Sequence, residues 1–171
     1  MIGSALFAIG LITILHFKLE LFTGKAGLYT QNKICLDKLG EVWVGNMIGT
    51  AFAAILIKWT PIGIELAKRA NVIINNKIDN GIYINFIYGI FCGLLMYIAV
   101  SVWNSDKIFT IMPVMAFILC GFNHCVADMF YLHLGCESLL DYFILIPITI
   151  GNFIGTNIIP WHLKYSQNNW D

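Results

Sequence analysis

Charged residues are scarce in this sequence. Asp, Glu, Lys and Arg make up 12% of its 171 residues, about half their usual share in a soluble domain. Apolar residues make up 58%, and the formal net charge is zero. So few lysines and arginines argue against a nucleic-acid partner, because phosphate binding needs clustered positive charge. The composition predicts an integral membrane protein whose surroundings are the lipid bilayer.

Several other features are also missing. The five cysteines are scattered and odd in number, so we expect no disulfide framework. No charged segment precedes the first apolar run and no small-residue cleavage pattern is found, so we expect no cleaved signal peptide. His124, Asp128 and Cys120 could in principle bind a metal, but their spacing matches no recognised ligand set. No nucleophile–base pair has a usable spacing either, so we predict no enzyme, no cofactor and no metal site.

Five apolar segments can cross a bilayer. They predict a single transmembrane domain over residues 1–171, with spans at about 2–22, 42–57, 82–102, 108–134 and 142–161. Polar residues interrupt two of these spans. Thr23-Gly24 is expected to break the helix at the end of the first, and Asn123, His124 and Asp128 lie within the fourth. Such groups are tolerated at membrane depth where they face protein or water, so the interruptions predict a permeation or relay path.

A short motif occurs in both the second and the fifth span. Residues 45–50 read Gly-Asn-Met-Ile-Gly-Thr, and residues 151–156 read Gly-Asn-Phe-Ile-Gly-Thr. Each copy follows an interrupted span at the same distance, because 23 positions separate Thr23 from Asn46 and Met129 from Asn152. Copies three spans apart cross the bilayer in opposite directions. The pattern predicts an all-α membrane protein with an aquaporin-like inverted repeat of broken helices, in which five spans are visible instead of six.

These motifs, in this order, resemble the formate/nitrite transporter family over nearly the whole chain. The matching stretches are residues 20–24, 43–46, 91–95, 121–130 and 147–155. Residues 121–130 resemble the family signature Gly-Phe-Glu-His-x-Val-Ala-Asn-Met-Phe. The resemblance implies a multi-pass homopentamer in the cell (inner or plasma) membrane with a cytoplasmic C-terminus. Each protomer would carry a small monovalent anion, such as formate, nitrite or hydrosulfide, or its conjugate acid.

The resemblance also implies which residues form the pore. The expected solute path is lined by His124, Thr23, Asn152, Asn123 and Asp128. The expected hydrophobic constrictions are Leu11 and Phe22 on one side, and Phe7, Met96 and Phe117 on the other. In this assignment His124 corresponds to the central histidine of the family and Thr23 to the loop threonine that faces it. Asn152 corresponds to an asparagine of the same cluster.

Three residues depart from the family pattern. Asn123 stands in the place of the signature glutamate, Asp128 in the place of its asparagine, and Gly93 in the place of the asparagine in a Cys-Asn pair. A carboxylate near an anion path opposes anions unless it is protonated or paired. Lys68 or Lys77, in the polar stretch before the third span, could be its partner.

Two transport routes and several alternatives stay open. His124 and Thr23 could donate hydrogen bonds to an anion, or the imidazole, which titrates near neutral pH, could help a weak acid to pass in its neutral form. His124 could instead only satisfy a helix contact, Thr23 could be only a helix cap, and Asn46 is better explained by helix–helix contact. The alternative function is a non-conducting structural subunit or a truncated remnant of such a channel, which the missing leading span favours. Lysines and arginines are balanced on the two sides, so the positive-inside rule predicts no orientation.

Overall fold

The computed structural model of the chain describes residues 2–103 and 105–167, which contain helices and connecting segments but no β-strand. The elements are α1 (Ile2–His16), α2 (Phe22–Ala26), α3 (Leu36–Lys58), α4 (Gly63–Val102), α5 (Ile111–Leu119), α6 (Cys125–Gly135), a 3₁₀ helix (Leu139–Ile144) and α7 (Leu145–Gln167). The helical segments long and apolar enough to cross a membrane are Leu36–Lys58, Gly63–Val102 and Leu139–Ser166. The predicted all-α fold is confirmed.

The first and fourth predicted spans are each split into two shorter helices. Lys18 has a φ of 54° in the turn between α1 and α2, and Gly121 has a φ of 69° in the turn between α5 and α6. A positive φ ends a right-handed helix, and glycine adopts it without a steric penalty. The two pairs contact each other, because α1 packs against α5. The prediction of two broken helices is therefore confirmed.

The helix ends differ from the predicted bounds in several places. Thr23-Gly24 is predicted to break the first span, but both residues lie inside α2 and the break comes earlier, around Lys18. One glycine weakens a helix by only about 1 kcal/mol, which the packing of the buried α2 residues outweighs. The helix α3 begins at Leu36, six residues before the predicted span (42 − 36). Hydropathy marks only the apolar part of a helix, whereas backbone hydrogen bonds continue into the polar residues beside it.

Helix α4 is 40 residues long and is interrupted at Gly81, where φ is 72° and ψ is 175°. The side chain of Asn85 closes the interruption, because its Nδ2 donates to the carbonyl oxygens of Lys77 at 2.6 Å and Gly81 at 2.7 Å. The polar half before Gly81 packs against α6 through Ile74, which is fully buried beside Met129. This half is therefore part of the packed helical body and carries Lys77 to the buried region.

Helices α4 and α7 approach each other through glycines. A Cβ atom on Gly155 would overlap the carbonyl oxygen of Ile90, and one on Gly93 would overlap that of Asn152. Small residues at such crossings let two backbones come into contact. Gly49 occupies the position of Gly155 in the first copy of the repeated motif, yet no described atom beyond the adjoining backbone of its own helix lies within 4 Å of its Cβ position. The two copies are alike in sequence but differ in packing.

Substitution Gly155→Ala should destabilise the fold by about 1–3 kcal/mol, because the added methyl group must push α7 away from α4. Gly49→Ala is the matched control. It should change stability by less than about 0.5 kcal/mol or raise it slightly, since alanine favours a helix. Thermal unfolding of the detergent-purified protein measures both effects. Equal losses in the two variants would contradict the packing difference.

Candidate functional site

His124 and Thr23 meet between the two helix breaks. The Nε2 atom of His124 lies 2.8 Å from Oγ1 of Thr23, and both residues are buried. His124 is also the N-cap of α6, where its Nδ1 accepts a hydrogen bond from the N–H of Ala127 at 3.2 Å. A neutral imidazole that accepts at Nδ1 carries its proton on Nε2 and donates it to Thr23. The hydroxyl proton of Thr23 is then free to point to another acceptor.

Asn152 holds the break between α5 and α6. Its Oδ1 accepts from the N–H of Cys125 at 2.8 Å, and its Nδ2 donates to the carbonyl oxygen of Asn123 at 2.8 Å. The same Nδ2 donates to the carbonyl oxygen of Gly89 on α4 at 2.9 Å. These bonds grip the backbone on either side of His124. The structure thus brings Asn152 to the expected cluster, where it orients the chain around the imidazole.

Asn46, in the first copy of the motif, holds the break between α1 and α2 in the same way. Its Oδ1 accepts from the N–H of Phe22 at 2.9 Å, and its Nδ2 donates to the carbonyl oxygen of Glu20 at 2.9 Å. The helix contact that the sequence favours for Asn46 is therefore a contact with a broken segment. Each asparagine bridges a carbonyl and an N–H that lie two residues apart.

The two halves differ by three residues between the break and the motif. Asn46 bonds an N–H 24 positions before it, whereas Asn152 bonds an N–H 27 positions before it. The equal 23-residue distances from Thr23 and Met129 therefore do not relate equivalent residues. The two repeats match in their bonding and not in their exact spacing, because the connecting segments have different lengths.

Asp128 forms a buried ion pair with Lys77, whose Nζ lies 2.5 Å from Oδ1. The prediction that Lys77 could be the partner of this carboxylate is confirmed, although Lys77 lies on α4. Lys77 also donates to Oδ1 of Asn123 at 2.8 Å, and Nδ2 of Asn123 donates to Oδ1 of Asn85 at 2.7 Å. The network joins the interruption of α4 to the residue before His124. Asn85 was not expected there, because no sequence signal marks it.

Among the described residues, His124 lines a larger and a smaller cavity. The larger, of about 350 Å³, has a wall that includes Lys77 and Asp128. The smaller, of about 270 Å³, has a mostly apolar wall that includes Leu11 and Met96. His124 therefore lies where the more polar of these cavities (the polar cavity) and the apolar cavity approach each other.

Most of the expected constriction residues lie at these cavities. Those lining one or both are Phe7, Leu11, Met96 and Phe117. The ring of Phe117 stacks on the imidazole of His124 with centroids 5.8 Å apart. Phe7 makes an edge contact with Phe117 at 5.9 Å. One aromatic ring thus lies against the imidazole, and a second ring packs against the first.

Phe22 is the exception among the expected constriction residues. It packs with Leu39 and Val42 of α3 and lines a separate groove between α3 and α7. Leu21 lines the apolar cavity beside His124 instead. The turn before α2 decides which of these two neighbouring residues faces the cavity, and the sequence does not specify that turn.

A second histidine, His133, has structural partners on both ring nitrogens. Its Nε2 lies 3.1 Å from the carbonyl oxygen of Met47, and its Nδ1 lies 2.7 Å from the hydroxyl group of Tyr142. These contacts tie α6 to α3 and to the 3₁₀ helix. Across residues 2–103 and 105–167, no group of three His, Cys, Asp or Glu side chains is placed to hold a metal ion.

Sequence comparison places the chain among transporters and channels. A family model described as formate/nitrite transporter matches residues 1–165. The chain is 33% identical over 180 residues to the uncharacterized transporter YrhG of Bacillus subtilis (strain 168), covering 94% of this chain and 64% of that protein. It is 27% identical over 202 residues to the formate channel FocA of Haemophilus influenzae, with 91% and 69% covered. The chain thus spans about two thirds of the length of these relatives.

Solved structures share the fold. A pentameric formate channel with formate bound matches with a TM-score of 0.82 and 21% identity, over 99% of this chain and 83% of that one. A structure described as an FNT family ion channel matches with a TM-score of 0.81 and 23% identity, over 96% and 76%. The predicted inverted repeat with broken helices is confirmed as the fold.

Substitution Asn46→Ala should destabilise the protein by about 1–3 kcal/mol, because the N–H of Phe22 and the carbonyl of Glu20 lose their partner. Thr50→Ala is the matched control from the same motif. The hydroxyl group of Thr50 bonds only carbonyls of its own helix, so its loss should change stability by less than about 0.5 kcal/mol. Thermal unfolding in detergent measures both, and similar losses would contradict the role given to Asn46.

Proposed function

The chain belongs to the formate/nitrite transporter family, and from that premise we propose that it carries small monovalent anions or their conjugate acids across a membrane. Formate, nitrite and hydrosulfide are the solutes of this class that we expect. The observation that carries the proposal is the buried hydrogen bond between His124 and Thr23. It lies between two helix breaks, and cavities contact the imidazole.

An anion in such a path faces a desolvation barrier. Apolar side chains such as Leu11 and Met96 cannot replace the hydrogen bonds that the anion loses on leaving water. The Oγ1–H of Thr23, which the bond from Nε2–H of His124 leaves free, is a donor that can replace part of that loss. The N-terminus of α6, which His124 caps, adds a partial positive charge beside this donor. We therefore assign the stabilisation of the anion to these groups.

The same groups support passage of a weak acid in its neutral form. A proton added to Nδ1 of His124 would displace the hydrogen bond from Ala127. Because Nε2 already carries a proton, His124 can give that proton to a solute through the hydroxyl group of Thr23 only if Nδ1 takes up another, which costs the bond from Ala127. The two routes differ in what they move, because anion conduction transfers charge, whereas passage of the acid acidifies the receiving compartment.

We also propose that the chain forms a homopentamer in the inner or plasma membrane, with one pore in each protomer. A structural neighbour is a pentameric formate channel, and the family supports a multi-pass membrane protein. A single transmembrane domain with a cytoplasmic C-terminus completes the proposed arrangement, in accord with the resemblance of the motifs.

Liposomes that contain the protein should take up formate, nitrite or hydrosulfide at least about tenfold faster than protein-free liposomes. A tenfold faster uptake corresponds to a barrier that is lower by about 1.4 kcal/mol. Thr23→Val keeps the shape but removes the hydroxyl group, and it should slow uptake about tenfold. Thr50→Val, which removes a hydroxyl group outside the site, should not. Stopped-flow recording of solute and internal pH separates the two routes. Uptake equal to that of empty liposomes would reject the proposal and favour a non-conducting subunit.

A further inference from the structure

We propose that Asp128 is the counter-ion that neutralises Lys77 and so determines the charge that an anion meets in the polar cavity beside His124. The inference rests on the proposed function and adds a residue that limits the affinity of the site for anions. It makes Asp128 and Lys77 specificity-determining residues with opposite effects.

The ion pair is part of the cavity wall. Lys77 and Asp128 both line the 350 Å³ cavity with His124, and they are the lining residues that carry a full charge. Their side chains are 13% and 1% exposed, so water screens them weakly. The second carboxylate oxygen, Oδ2 of Asp128, has no hydrogen-bond partner among the described residues. The charge of Asp128 is therefore balanced by Lys77.

The network explains why the carboxylate is at position 128. Asn123 also contacts the ammonium group of Lys77, but it must donate to Asn85 at the same time. An amide can accept with one atom and donate with the other, whereas an ionised carboxylate can only accept. A carboxylate at position 123 would face the amide oxygen of Asn85 and lose that bond. Position 128 has no such requirement and can carry the charge.

The consequence is a cavity with no net charge from this pair. An anion that approaches His124 from this side must compete with Asp128 for the ammonium group. Removal of the carboxylate would leave a positive cavity, and removal of the ammonium group would leave a negative one. Charges act strongly at a few ångströms where water is largely excluded. The two single substitutions should therefore change anion affinity in opposite directions.

The test compares Asp128→Asn, Lys77→Gln and the double variant for formate uptake in liposomes. Asp128→Asn should lower the KM for formate about threefold or more, and Lys77→Gln should raise it by a similar factor. The double variant should lie between them. Arg69→Gln is the control, because Arg69 carries the same charge on α4 but pairs with Glu65 on an exposed face, and its KM should stay within about twofold. A purely structural ion pair would make both single variants worse, and that result would overturn the inference.

Two further comparisons keep the outcome decisive. If the single variant Asp128→Asn does not fold, the double variant must still have a lower KM than Lys77→Gln. A KM equal to or higher than that of Lys77→Gln would overturn the inference. Formate binding, measured as a shift in the thermal unfolding midpoint of the detergent-purified protein, should follow the same order. If formate binding follows this order among wild type and the variants, but wild type does not transport formate, only the proposed function fails. If wild type transports formate, but the KM and formate binding of the variants do not follow this order, only the inference fails.

Discussion

A helix that breaks within a membrane leaves backbone N–H and C=O groups that lipid cannot satisfy. In this protein two asparagines, Asn46 and Asn152, supply the missing hydrogen bonds. Each uses the oxygen and nitrogen of one amide to bond an N–H and a carbonyl two residues apart. Asparagine suits this role because its side chain carries a donor and an acceptor side by side in one plane. The breaks, and everything placed at them, depend on these bonds.

The breaks bring Thr23 and His124 together from separate parts of the chain. Thr23 lies in the first turn of α2, and His124 caps α6. The imidazole thus has a structural bond at one nitrogen and a bond to Thr23 at the other. One residue ends the irregular segment and presents a donor to the site. The motif repeated at residues 45–50 and 151–156 supplies the asparagine that bonds each of the two breaks.

The sequence singles out residues that meet at the helix breaks, because polar residues are rare in apolar spans. His124, Asn152 and Thr23 stand out for that reason, and so does the need of Asp128 for a basic partner. In a chain with so little charge, few other residues could take the place of these in the site. Their grouping in space then follows from the inverted repeat.

The surroundings of the site could not be predicted in the same way. The break at Lys18 depends on a positive φ that nothing in the residue type requires. Whether Leu21 or Phe22 faces the cavity depends on the rotation of the chain after that turn. Asn85 looks like an ordinary residue of an apolar helix until the interruption at Gly81 gives its amide two carbonyls to bond. These features follow from backbone conformation, which a pattern of residue types specifies only loosely.

The glycine contacts between α4 and α7 limit how far substitutions can change the distance between these two helices. Asn152 and Met96 are carried by two helices whose main chains touch, so no side chain between them can be enlarged or trimmed to change their separation. The distance between these two helices is therefore set by contact of their backbones. Adaptation to a solute of another size must come from side chains that project into the cavities, Met96 and Phe7 among them.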